Sequence, residues 1–128
     1  MAYTYTPEKQ HAVMMIMTKV DPVYVNEAKN AFTRYNMENF YGLQLRIDNL
    51  SLSDSVKMMV VDSFANAAAA LDYLNKARAL APRQIVPWLP AGHYVFVVIS
   101  ETNLDLLLRN KDAEAYKKFL VSVYPIKF

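Results

Sequence analysis

The sequence predicts a single α+β domain, and three observations carry that expectation. Apolar runs rich in Val, Ile, Met and Phe, at residues 11–19, 56–62 and 93–100, have the length of strands. Between them lie segments whose apolar residues recur at spacings of three and four, the period of a helix. Hydrophobic residues make up 54% of the 128 positions and charged ones 20%, an excess that demands a large core, a covered second face or a partner.

His11 to Lys19 reads as a strand apolar on both faces, stopped at Asp21-Pro22. Asp21 is placed to cap a helix with Pro22 in its first turn. Val25, Ala28, Phe32 and Tyr35 make one stripe along that helix up to about Phe40, and Gly42 is the expected terminator. Leu43, Leu45 and Ile47 alternate with polar residues, the pattern of a half-buried strand, with a bulge expected at Asn49-Leu50. Ser53-Asp54-Ser55 is the expected hairpin turn, and Val56 to Asp62 the third strand.

Ser63 or Asn66 is placed to cap a second helix from Ala65 to Leu80, ended by Pro82. An apolar loop with two prolines, Ile85 to Pro90, follows. His93 to Ser100 is the fourth strand. Thr102 with Asp105 resembles a capping box for a helix from Asn103 that breaks near Asn110 and restarts after Asp112. Tyr116, Phe119, Leu120 and Val123 form its late stripe, and Pro125 stops it. Phe32 and Phe119 are both expected in the core.

The order strand, helix, strand, strand, helix, strand, helix calls for right-handed crossovers. The economical solution is the ferredoxin-like, repeated split βαβ arrangement: a four-stranded antiparallel sheet, helices on one face, and an additional C-terminal helix. Residues 1–10 read as a flexible N-terminal segment and 11–128 as one domain.

Several function classes lose their support at this level. With two Gly, a phosphate-cradling loop is ruled out, and with no Cys so are disulfides, thiolate metal sites and Cys nucleophiles. The net charge of +2 is spread along the chain, so a nucleic-acid partner is not expected. No apolar run reaches the ~20 residues of a membrane span. Met1 to Gln10 has no apolar signal-peptide core, which leaves a cytoplasmic protein or a piece of a longer exported chain. His11 and His93 lack metal-ligand spacing, and the Ser cluster has turn chemistry, so no catalytic, cofactor or metal residue is assigned.

What remains are two candidate partner-binding surfaces. Strands one, three and four are apolar on both sides, so something must cover the second face: the C-terminal helix, a second copy of the chain, or another domain. Met15, Met17, Val95 and Val97 are the candidates there. The other surface is the proline-stiffened loop, with Val86, Trp88 and Leu89 as a docking anchor or as a lid on the domain's own core.

Three segments also follow a pattern in order. Tyr35-Asn36 with Phe40 comes first, then Phe64, Asn66, Ala70 and Tyr73. Ile99-Ser100 with Asn103, Lys111, Tyr116, Phe119 and Tyr124 completes it. Together with the strand at His11 this resembles the C-terminal domain of tetratricopeptide-repeat lipoproteins of Bacteroidota, which serve type IX secretion and gliding motility. The resemblance implies a non-enzymatic, periplasmic accessory domain of an envelope assembly, and supplies no catalytic residues. Asn36 is expected to close a helix, and Asn66, Ser100 and Asn103 to act as caps. The alternative is a small dimeric ferredoxin-like barrel enzyme, or a ligand-sensing module, with an apolar pocket on the sheet.

Overall fold

The computed structural model describes residues 2–126 and 128. Among them the chain forms β1 (His11–Thr18), α1 (Pro22–Asn39), β2 (Arg46–Ser51), β3 (Val56–Phe64), α2 (Ala67–Leu80), β4 (Tyr94–Ser100), α3 (Glu101–Asn110) and α4 (Ala113–Val123). The strands make one antiparallel sheet in the order β2-β3-β1-β4. The fold is α+β, and this order is the one that two interlocked split βαβ units produce.

Register separates the two faces, because residues directly opposite one another share a face. Met15 lies between Met59 and Phe96, and Val13 between Val61 and Val98. Phe96 meets Phe32 of α1 at 6.0 Å between ring centroids, and Phe64 of β3 meets Tyr73 of α2 at 5.2 Å. That first face is therefore roofed by α1 and α2. Met14, between Val60 and Val97, and Ile16, between Met58 and Val95, belong to the second face. There Ala12, Val60 and Ile99 share a cleft with Leu104 and Asp105 of α3, while Ile16 and Val95 border the first turn of α4. The Tyr116 hydroxyl of α4 donates to the Val98 carbonyl at the outer edge of β4. The C-terminal region thus covers the second face as two helices, with the break falling after Asn110 and the restart after Asp112, as expected.

Local chemistry accounts for most boundaries. The Asp21 carboxylate accepts from Val23 N at 2.9 Å, with Pro22 opening α1. Asn66 does the same for α2, accepting from Ala69 N at 2.9 Å, and Asp112 for α4, from Ala115 N at 3.0 Å. Lys111 takes a left-handed conformation, φ 57°, between α3 and α4.

Several expectations are corrected. Gly42 does not terminate α1: the helix ends at Asn39, and Gly42 sits in a following 3-10 turn, without positive φ. Leu43 belongs to the same turn and Leu45 precedes β2, which starts at Arg46. The β2–β3 register runs unbroken, so the bulge expected at Asn49-Leu50 is absent; the shift lies between His11 and Val13, opposite Asp62-Ser63. Pro82 does not stop the second helix at once. The chain continues through a wider turn, Ala81–Ile85, in which Val86 N donates to the Ala81 carbonyl at 2.9 Å. The ring removes a donor that α-helical bonding would need, and the wider turn does without it. Finally, α3 starts at Glu101 under Ser100, whose hydroxyl accepts from Asn103 N at 3.3 Å, so Thr102 and Asp105 form no capping box.

Candidate functional site

The Trp88 loop is pinned from below. Val86 is fully buried and Leu89 3% exposed, and Leu89 N donates to the Val86 carbonyl at 3.0 Å. Trp88 alone of the three candidates there turns outward, at 42% exposed. It lies 5.7 Å from the ring of Tyr24 in the first turn of α1, and Tyr24 and its neighbour Val23 are exposed as well. Val86 and Leu89 are thus corrected from docking residues to core residues. Their apolar side chains hold the backbone down, and Trp88 stands on it beside Tyr24.

The sheet candidates fare differently. Met15 and Met17 face Phe96 and Tyr94, under α1 and α2, whereas Val95 and Val97 face Ile16 and Met14, on the opposite side. The four do not form one surface. Met15, Met17 and Val97 are fully buried and Val95 half-buried. Alternation along a strand places neighbours in sequence on opposite faces, so only the register could group them.

Polar residues of the sequence pattern join elements that are distant in the chain. The Tyr73 hydroxyl donates to Asn36 Oδ1 across the α1–α2 interface, with both residues buried. Asn36 therefore does not close α1; it lies three residues before its end. Burial raises the Tyr73 phenol above its ordinary range, with the neighbouring Tyr35 adding and the Asn36 bond opposing. Burial likewise raises Tyr116, followed by Tyr124 and Tyr3. Asn103 is not a cap but a clamp: its Oδ1 accepts from Thr4 N at 3.0 Å and its Nδ2 donates to the Thr4 carbonyl at 2.8 Å. Beside this clamp Tyr3 packs on Tyr116 and Phe119, and the Pro7 carbonyl accepts from Ala67 N at 2.9 Å. The sequence reading missed Tyr3, Thr4 and Tyr24, whose partners lie far away in the chain.

Both histidines have structural contacts. His11 is 4% exposed, with Nδ1 on the Lys9 carbonyl at 2.8 Å and Nε2 facing the Tyr124 hydroxyl at 3.5 Å. His93 Nδ1 lies 2.9 Å from the Thr18 carbonyl. Among the described residues no group of His, Asp and Glu is arranged to hold a metal ion.

Open clefts mark the surface, three of which bear on function. One of about 490 Å³ lies on the second face, floored by Ile16, Val56 and Val95 and rimmed by Lys111, Glu114 and Lys117. A polar one of about 390 Å³ contains Asp62, Glu101 and Asp105. A third, of about 470 Å³, runs between α1 and β2, lined by Met37, Phe40, Tyr41, Leu45 and Ile47. No helix among the described residues is long and apolar enough to cross a membrane. Comparison with known proteins returns no matching family model, no matching curated protein and no matching solved structure.

Proposed function

We propose that this chain is a non-catalytic protein-interaction or accessory domain of a larger cell-envelope protein, of the secretion or gliding type, working in the periplasm. The observation that carries the reading is the exposed Trp88–Tyr24 pair on a backbone fixed by the buried Val86 and Leu89. A large aromatic held out on a rigid loop loses little entropy when it docks, and Trp is enriched at binding hot spots. The ordered motifs at Asn36, Tyr73, Asn103 and Tyr116 support the family resemblance at the level of fold, since each ties together segments that are distant in the chain.

The test uses the full-length gene product, tagged at its own locus and cross-linked in living cells. Trp88→Ala is expected to lower recovery of its native partner while leaving the thermal midpoint of the domain near that of the parent. Unchanged recovery would remove the Trp88 surface from the proposal. Fractionation of the tagged protein with the cytoplasm would remove the envelope assignment.

The ligand-sensing reading has one observation in its favour, the 490 Å³ cleft with its apolar floor and charged rim. It predicts a rise in midpoint with amphipathic small molecules, abolished by Val95→Glu.

A further inference from the structure

The edge of the sheet at β2 has a feature that the interaction surface above does not use. Among the described residues β2 pairs only with β3, so one side of its backbone has no strand of the described chain beside it. Leu52 N donates to the Val56 carbonyl at 2.9 Å, which sets the phase of the ladder. In an antiparallel pair the bonded positions alternate, so Leu50 and Asp48 point their backbone groups at β3, while Ile47 and Asn49 point theirs outward. Such an edge is a template for another strand unless charge or shape blocks it.

Here the charges select a partner. Arg46 and Asp48 flank Ile47 on the second face, and both are exposed. If two copies of β2 pair antiparallel about Ile47, each Arg46 stands opposite the other copy's Asp48, twice over by symmetry. Moving the centre of the pairing from Ile47 to the residue on either side, a slide of two residues, sets Arg46 against Arg46 or Asp48 against Asp48. The complementary register is also the one in which the outward groups of Ile47 bond to each other. Arg46 is free to take the second carboxylate: its own pair with Asp62 is 3.7 Å long and its side chain is 80% exposed. Beside the edge, Met37 and Tyr41 are 67% and 80% exposed, apolar area that a neighbouring copy would cover.

We propose that β2 is a self-association edge, on which a second copy of this chain pairs antiparallel about Ile47 to continue the sheet through both copies. The inference does not depend on the accessory-domain reading and uses a different surface from Trp88.

Sedimentation of the full chain over a concentration series tests it. The parent is expected to show a monomer–dimer equilibrium. Asp48→Arg and Arg46→Asp, each alone, place like charges opposite each other, and each is expected to weaken the dimer roughly tenfold or more. An equal mixture of the two variants restores both opposite-charge pairs and is expected to dimerise nearly as tightly as the parent. Thermal unfolding of each variant checks that it is folded, and Asp48→Arg alone suffices if Arg46→Asp is not. A parent that is monomeric throughout, an Asp48→Arg variant as dimeric as the parent, or a mixture of folded variants that fails to associate would each overturn the proposal.

Discussion

The sheet is closed on its two sides by different means. On the first face, α1 and α2 bring Phe32, Tyr35 and Tyr73 against Phe96, Phe40 and Phe64, and one buried hydrogen bond, Tyr73 to Asn36, locks the two helices together. On the second, the shorter α3 and α4 contribute Leu106, Leu107 and Leu120, and their attachment depends on polar contacts with residues 3 and 4. The first layer is held by its own packing. The second is held in part by a strap from the far end of the chain. Apolar area secures a helix wherever it is large enough, and a small helix pair needs added hydrogen bonds to fix its position.

Phe32→Ala is the variant expected to cost most, about 3–5 kcal/mol in urea unfolding, since Phe32 is fully buried at the centre of the first layer. Phe119, expected in the core from its stripe, is half-buried against Tyr3 and Tyr116, and Phe119→Ala should cost clearly less. Equal losses from the two would erase the contrast between layers.

Alkaline pH probes both layers at once. Tyr73 and Tyr116 hold their protons more tightly when folded, chiefly because they are buried. In the unfolded chain they ionise near pH 10, so above that the unfolded state binds fewer protons and stability falls as pH rises. Their contribution is fully present below pH 10. Above it, about 1.4 kcal/mol per group is expected to be lost for each further pH unit. Urea midpoints on either side of pH 10 measure it, and Tyr73→Phe and Tyr116→Phe should each remove part of the slope.

At neutral pH, Tyr73→Phe tests the lock. Asn36 Nδ2 already has no partner, and the substitution would leave its Oδ1 without one too. The expected cost is about 1–3 kcal/mol by chemical denaturation. A change within error would mean that Asn36 finds water there.

Asn103→Ala tests the strap, and its global effect is expected to be the smallest, about 1–2 kcal/mol. Its signature is local: faster amide exchange at Thr4 and faster protease cleavage after Tyr3 and Tyr5, with the α1–α2 layer unchanged. Exchange rising equally in both layers would show that they unfold as one unit.

Residues that act on near neighbours were legible in the sequence. Asp21 before Pro22, Asn66 before the alanine run, and the apolar runs of β1, β3 and β4 carry their structure within a few positions. The stiffness of the Trp88 loop was legible from its prolines, but whether Val86, Trp88 and Leu89 dock outward or cap the core was not, since nothing in a short apolar loop says which side chains turn inward. The structure turns Trp88 out beside Tyr24 and buries the other two. The local rules failed where a distant contact outweighed them. Asn103 looks like a cap, yet its amide matches the Thr4 backbone and Ser100 takes the capping role.

By itself, then, the sequence determined the element types, most helix starts, and the need for a cover on the second face, because propensity, capping and periodicity act over one or two turns of chain. Only the tertiary structure decided what that cover is, and that Met15 and Met17 lie on the other side of the sheet from Val95 and Val97. Register and layer contacts join residues tens of positions apart, and no local spacing encodes which of them will meet.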